Sequence, residues 1–206
     1  EYVLTKIDGV ILSNALPKNI IQLASSYWFR IPKKDDWSYS RMDVDADFCI
    51  DRHKFNYYPS SAYQTPIYAL LKSDLKSTIN FILEFTNKTV ECYINSEMKG
   101  ESEKVIVHID EDRTIEQYVS ARLWNTYRGT QISTHLLESI HMGLEKFLLE
   151  IAKSTKQEVL EYYLKYLLEN SKSASISAVV TSVVLAFPDK TFNIALILFK
   201  TKEFFE

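Results

Sequence analysis

Residues 133–168 read STHLLESIHMGLEKFLLEIAKSTKQEVLEYYLKYLL, and this stretch decides the fold. Leu137, Ile140, Leu144, Phe147, Leu148 and Ile151 recur at i, i+3, i+4 and i+7, which places them on one face of an α-helix. Ser133 or Thr134 is available as its cap. Ser154-x-x-Gln157 and Thr155-x-x-Glu158 then read as capping boxes that open a second helix burying Val159, Leu160, Tyr163, Leu164, Leu167 and Leu168. Two amphipathic helices joined by a few residues predict a helical hairpin, and the rest of the chain repeats that unit.

Upstream, Ser73 or Asp74 caps a helix in which Ile79, Ile82, Leu83, Thr86, Val90, Tyr93 and Ile94 keep the same period. Before it, Ala62, Ile67, Leu70 and Leu71 predict a helix that tolerates Pro66 in its early turns. Val3, Leu4, Ile7, Val10 and Ile11 predict a first helix reaching about Ala15. Pro17 suits the first turn of its partner, whose apolar stripe runs from Ile20 to Trp28. Downstream, the near-continuous apolar run Ile176 to Phe187 reads as a buried helix, stopped by Pro188-Asp189-Lys190, with a last helix at about 189–202.

Two stretches break the period. Residues 33–59 combine Asp35, Asp36, Asp43, Asp45, Asp47 and Asp51 with Trp37, Phe48, Phe55, Tyr57 and Tyr58, a long aromatic and acidic loop expected to pack onto the helices. Residues 97–119 are an insertion in which Val105, Val107 and Ile109 alternate with Ile106 and His108. Asp110 to Arg113 reads as a turn, and Thr114 to Val119 as a return strand or a helix start. The expectation is one small acidic β-hairpin projecting from a mostly α body, followed by a short helix from Arg122 to Arg128 that Gly129 ends. Stacked antiparallel helices without an exact repeat describe an irregular α-solenoid spanning residues 1–206 as one helical-repeat-like segment.

Composition narrows function without naming it. With 206 residues, 46% hydrophobic and 25% charged, the chain is too apolar to be disordered and long enough to bury a sizeable core. A formal net charge of −3 lacks the cationic excess that phosphate backbones attract, so nucleic acid is not an expected partner. No stretch reaches the roughly 20 apolar residues a membrane span needs, and no signal peptide is read. Cys49 and Cys92 are too few for a disulfide framework and read as small buried hydrophobes in a reducing, cytoplasmic compartment, although a single bridge is compatible with the sequence. The chain opens at Glu1 without Met, already in a helical pattern, and closes on Lys200 to Glu206 without a stop signal, so it is expected to be a piece of a longer polypeptide.

Chemical motifs are incomplete. Asp43-x-Asp45-x-Asp47 copies the opening of a calcium loop, but Phe48 and Lys54 stand where the turn glycine and the bidentate glutamate belong. Glu138-x-x-His141, with Glu145 one turn on, reads as an intrahelical hydrogen bond or ion pair, and His135 and His141 point to different faces. Cys49 with His53 lacks an orienting third group. The Asn87-Lys88-Thr89 sequon falls within a helix, which argues against a glycan. No phosphate loop or nucleophile elbow occurs, so no catalytic, cofactor or metal residue is assigned, and the segment is expected not to be an enzyme. The remaining candidate is the run Arg122-Leu123-Trp124-Asn125-Thr126-Tyr127-Arg128. There Arg122, Trp124, Tyr127 and Arg128 are the residue types enriched at protein contacts, or else build a structural corner with Arg stacked on an aromatic.

Four stretches carry a resemblance: Asn56 to Ile67 (NYYPSSAYQTPI), Trp124 to Thr130 (WNTYRGT), Ser173 to Val180 (SASISAVV) leading to Ala186-Phe187-Pro188, and Phe199 to Phe205 (FKTKEFF). From about Tyr27 onward the chain resembles the helical region of very large bacterial ATP-binding proteins, themselves similar to the STAND NTPases of antiviral defence. The resemblance implies a helical scaffold or sensor segment beside a nucleotide-binding module and an effector, engaging a protein partner or other domains of its parent and able to oligomerise through it. The family's nucleotide-binding residues have no counterpart here. The alternative is a metal-dependent hydrolase in which Asp43, Asp45, Asp47, Asp51 and His53 converge.

Overall fold

In a computed structural model the described residues are 2–5, 8–31, 44–51, 57–100, 102–127 and 134–204. Among them eleven helices and one two-stranded antiparallel sheet occur, so the protein is mostly α with a single β-hairpin. The helices are α1 (Tyr2–Thr5), α2 (Asp8–Ala15), α3 (Pro17–Trp28), α4 (Val44–Asp47), α5 (Ile67–Ser73), α6 (Leu75–Asn95), α7 (Ala121–Asn125), α8 (His135–Ser154), α9 (Gln157–Asn170), α10 (Ala174–Ala186) and α11 (Phe192–Phe199). The strands are β1 (Glu103–His108) and β2 (Thr114–Val119), in register from Glu103 opposite Val119 to His108 opposite Thr114.

Four successive helix pairs, α2/α3, α5/α6, α8/α9 and α10/α11, stack in two rows. In one row α2 packs on α5, α5 on α8 and α8 on α10; in the other α3 packs on α6, α6 on α9 and α9 on α11. That is solenoid packing, in which each pair covers the apolar face its neighbour cannot bury alone. Buried side chains from all four pairs form one contiguous core, with α8 at its centre through Leu136, Leu137, Ile140, Leu144 and Leu148. α10 is buried almost all round, from Ala174 through Val180, because α7, α8, α9, α11 and β2 surround it.

Local chemistry sets the boundaries. Asp74 caps α6 by accepting from Ser77 N at 3.1 Å, and Thr134 caps α8 by accepting from Leu137 N at 3.1 Å. α5 begins only at Ile67, later than the Ala62 onset expected: Pro66 disfavours helical geometry in the residue before it and occupies the cap position itself. The first expected helix is two, α1 and α2, with residues 6–7 outside the described ones. Gly9 allows their close approach, since a Cβ there would lie 2.1 Å from the Val3 carbonyl oxygen. The capping boxes at 154–158 do not form. Lys156 takes the cap position of α9 without a side-chain bond, while Lys190 reaches across to donate to the Ala152 and Thr155 carbonyls at 2.8 and 3.1 Å at the end of α8. Val159, expected in the core, is exposed. The last helix is split: a 3-10 turn spans Pro188–Lys190, and buried Thr191 donates to the Phe187 carbonyl at 2.8 Å before α11 starts.

The hairpin does not project. Val105, Val107 and Ile109 are buried as the alternation requires, but the face they form is laid against the last helix pair. Tyr118 N donates to the Lys172 carbonyl at 2.8 Å. Gln117, fully buried, accepts from Ser177 Oγ at 2.6 Å and donates to the Leu168 carbonyl at 3.4 Å. The acidic turn is held down on α9 by Lys165 to Asp110 at 3.4 Å and Arg113 to Glu169 at 3.0 Å. A two-stranded ribbon has too little apolar surface to stand alone, so it borrows the helical body.

The thiols are also corrected. Cys49 and Cys92 form a disulfide with Cα atoms 5.9 Å apart, which fastens the segment after α4 to the last turns of α6. There Phe48 stacks on Tyr93 at 4.6 Å, and residue 50 bridges Phe29. Tyr57 and Trp28 are likewise fully buried, with Trp28 Nε1 donating to Tyr57 Oη at 2.6 Å, so Phe48 and Tyr57 of the 33–59 stretch pack onto the helices as expected, while Tyr58 is 54% exposed.

Candidate functional site

The Arg122–Arg128 run is α7 and the turn after it, and Arg128 lies outside the described residues. Ser120 caps α7 by accepting from Leu123 N at 3.2 Å, and Leu123 is buried. Trp124 and Tyr127 are half-buried against the core, and the Trp124 ring meets Phe204 at 5.3 Å between centroids. Trp124, Ser120, Asn125, Phe204 and the carboxylates Glu103 and Glu203 surround a recess of about 390 Å³. α7 is thus a packed corner with one aromatic rim, rather than a flat aromatic patch.

Of the acidic loop, Asp43 and His53 lie outside the described residues. Asp45 and Asp47 sit on the single turn α4, Asp45 buried, and Asp51 faces Arg30 at 3.5 Å. Among the described residues no three His, Cys, Asp or Glu side chains come together as a metal site.

Sequence reasoning missed a polar cluster at the start of α8. Ser60 Oγ lies 2.5 Å from Glu138 Oε2 and 2.9 Å from His135 Nδ1, and that nitrogen is 3.4 Å from Glu138 Oε2. Serine, histidine and a buried carboxylate are the components of nucleophilic catalysis, but their order is wrong for it. In a working triad the hydroxyl and the carboxylate bind opposite ring nitrogens. Here both face Nδ1, and the Ser60 proton is directed at Glu138. The cluster anchors residues 59–61 to α8.

Glu138, His141 and Glu145 do not pair with one another, contrary to the sequence reading, although Glu138 does face His135 on the same helix. Each reaches another element: Glu138 to Ser60, His141 Nε2 to Thr86 Oγ1 on α6 at 3.0 Å, and Glu145 to Ser182 on α10. His141 is fully buried, and desolvation holds its imidazole down to about 3, hence neutral. The Asn87 side chain is engaged at both ends: its Nδ2 donates to the Asn170 carbonyl at 2.9 Å and its Oδ1 accepts from Lys172 N at 2.8 Å.

One side of α11 leaves apolar surface exposed. Phe192, Leu196 and Phe199 fall at i, i+4 and i+7 on one side of it and are 61%, 44% and 69% exposed, while Ile194, Ile197 and Leu198 turn inward. In its row, α3, α6 and α9 are each followed by a helix packed against them; among the described residues α11 is the last.

No protein-family model matches the chain, and no curated protein matches it. Among the described residues no helix is long and apolar enough to cross a membrane.

Proposed function

We propose that this chain is a helical scaffold and sensor segment of a large bacterial STAND-type NTPase, recognising protein in antiviral defence while the ATP chemistry resides in another part of its parent. The observation that carries this reading is the outward pair Phe192 and Leu196 on the last described helix of a two-row stack. A solenoid continues by laying a further helix on such a face, so the occupant is a helix, supplied by a protein partner or by another domain of the parent. Arg122, Trp124 and Tyr127, on α7 and the turn after it, belong to the same half of the molecule, since α7 packs on α10. The reading places the protein in the cytoplasm, where the Cys49–Cys92 pair is reduced and both thiols remain packed where the bridge now lies.

The test uses the full parent carrying Phe192→Glu and Leu196→Glu. The expected result is loss of phage protection in a plaque assay with no change in the melting temperature of the purified protein. Undiminished protection would reject the recognition role of α11.

A further inference from the structure

At the other end of the stack, a cavity of about 550 Å³ opens between the first two helices and α5. Its volume lies within the range of small-molecule sites. Val10, Tyr63, Pro66 and Ala69 give it mostly apolar walls. Thr65 also lines it, is only 6% exposed, and its hydroxyl finds no hydrogen-bond partner among the described residues.

Charge marks the opposite rim. Lys72 lines the cavity, with Nζ 4.3 Å from the Tyr68 ring centroid and 3.6 Å from Glu150 Oε2. Glu150 also accepts from Tyr68 Oη and pairs with Lys146 at 2.8 Å. Among the described residues, two ammonium groups share one carboxylate at this rim.

We propose that this cavity binds a small amphipathic carboxylate, its apolar body against Val10, Tyr63 and Ala69 and its negative charge at Lys72. The site is separate from the protein-recognition reading: it uses α1, α2 and α5 and none of α11. The ligand class follows from complementarity, since apolar walls supply area while Lys72 fixes the charged end.

The probe is 4-(4-methoxyphenyl)butyrate, titrated at pH 7 into the ¹⁵N-labelled protein and followed by amide chemical shifts, beside its neutral methyl ester. Saturable shifts confined to residues near 5–14 and 63–72 are expected, with the ester and Lys72→Met each roughly tenfold weaker. Val10→Trp, a surface change that fills the mouth, should abolish the shifts while the rest of the amide spectrum is retained. No saturable shift with the unaltered protein would overturn the site, as would unchanged binding by a folded Val10→Trp. Equal affinity for acid and ester would overturn the carboxylate assignment, and Lys72→Met, which alters an exposed side chain, repeats that test should Val10→Trp fail to fold.

Discussion

Cys49 and Cys92, 43 residues apart in sequence, are joined by a disulfide that ties the segment after α4 to α6. Cys49 stands at φ 53°, in the left-handed region that a non-glycine residue occupies only when its surroundings enforce it. Two independent contacts, Phe48 stacked on Tyr93 and residue 50 bridging Phe29, hold the same segment without the bridge. Chain entropy for a loop of this length assigns the bridge about 4 kcal/mol at most, and 2–4 kcal/mol is the usual outcome. Reduction should therefore lower the unfolding free energy by that amount, read as a lower urea midpoint at unchanged slope, while leaving a cooperative transition. A midpoint indifferent to reductant would show that the two sulfurs are not bonded in solution.

His141 governs the acid side of the stability profile. Its imidazole is buried and neutral, pushed down by desolvation to about 3 from the ordinary histidine value of 6.5. The folded state then binds fewer protons than the unfolded one, so this contribution is fully present above pH 6.5 and is lost as pH falls from there toward 3. The slope is on the order of 1 kcal/mol per pH unit. Urea denaturation at pH 7, 6, 5 and 4 should show it, and His141→Gln, which can still meet Thr86, should flatten that limb.

Gln117 is the polar pin between the hairpin and the helices. The last carbonyls of a helix lack intrahelical partners, and Gln117 takes the Leu168 carbonyl of α9 while accepting from Ser177 of α10. Gln117→Leu leaves both groups buried and unpaired, at about 1–3 kcal/mol each. Hydrogen exchange should quicken in β1 and β2 before it does in α8. Uniform acceleration across the chain would mean that the pin serves the whole fold and not the hairpin.

A contrast between faces checks the packing of the last two pairs. Leu164→Ala removes a fully buried side chain from α9 and should cost about 2–5 kcal/mol, whereas Phe192→Ser on the exposed row should stay within about 0.5 kcal/mol. Calorimetric melting of both variants distinguishes them. A large loss from Phe192→Ser would show that the outward row is already covered in the isolated protein.

Much of the helical frame is legible in the residues. The spans around 75–95, 135–154 and 157–170, the buried run at 174–186 and the alternation at 105–109 are fixed by local periodicity, which is carried by neighbours in the chain. Boundaries failed for two reasons: a distant group, Lys190, closes α8 where capping boxes were expected, and a local one, Pro66, delays the start of α5. The candidate patch at Trp124 was visible by residue type, but its contact with Phe204 was not. The α11 row was readable as an apolar helix, and only the packing shows which of its sides is left outward.

By itself, then, the amino-acid order determines a chain of amphipathic helices with one hairpin, because hydrophobic period and caps act over a few residues. The tertiary structure alone decides that the hairpin lies down, that Cys49 meets Cys92, that His141 meets Thr86 and that Thr65 faces a cavity. Those outcomes join residues far apart in sequence. They depend on how whole helices come to rest against one another, a relation no short stretch of sequence encodes.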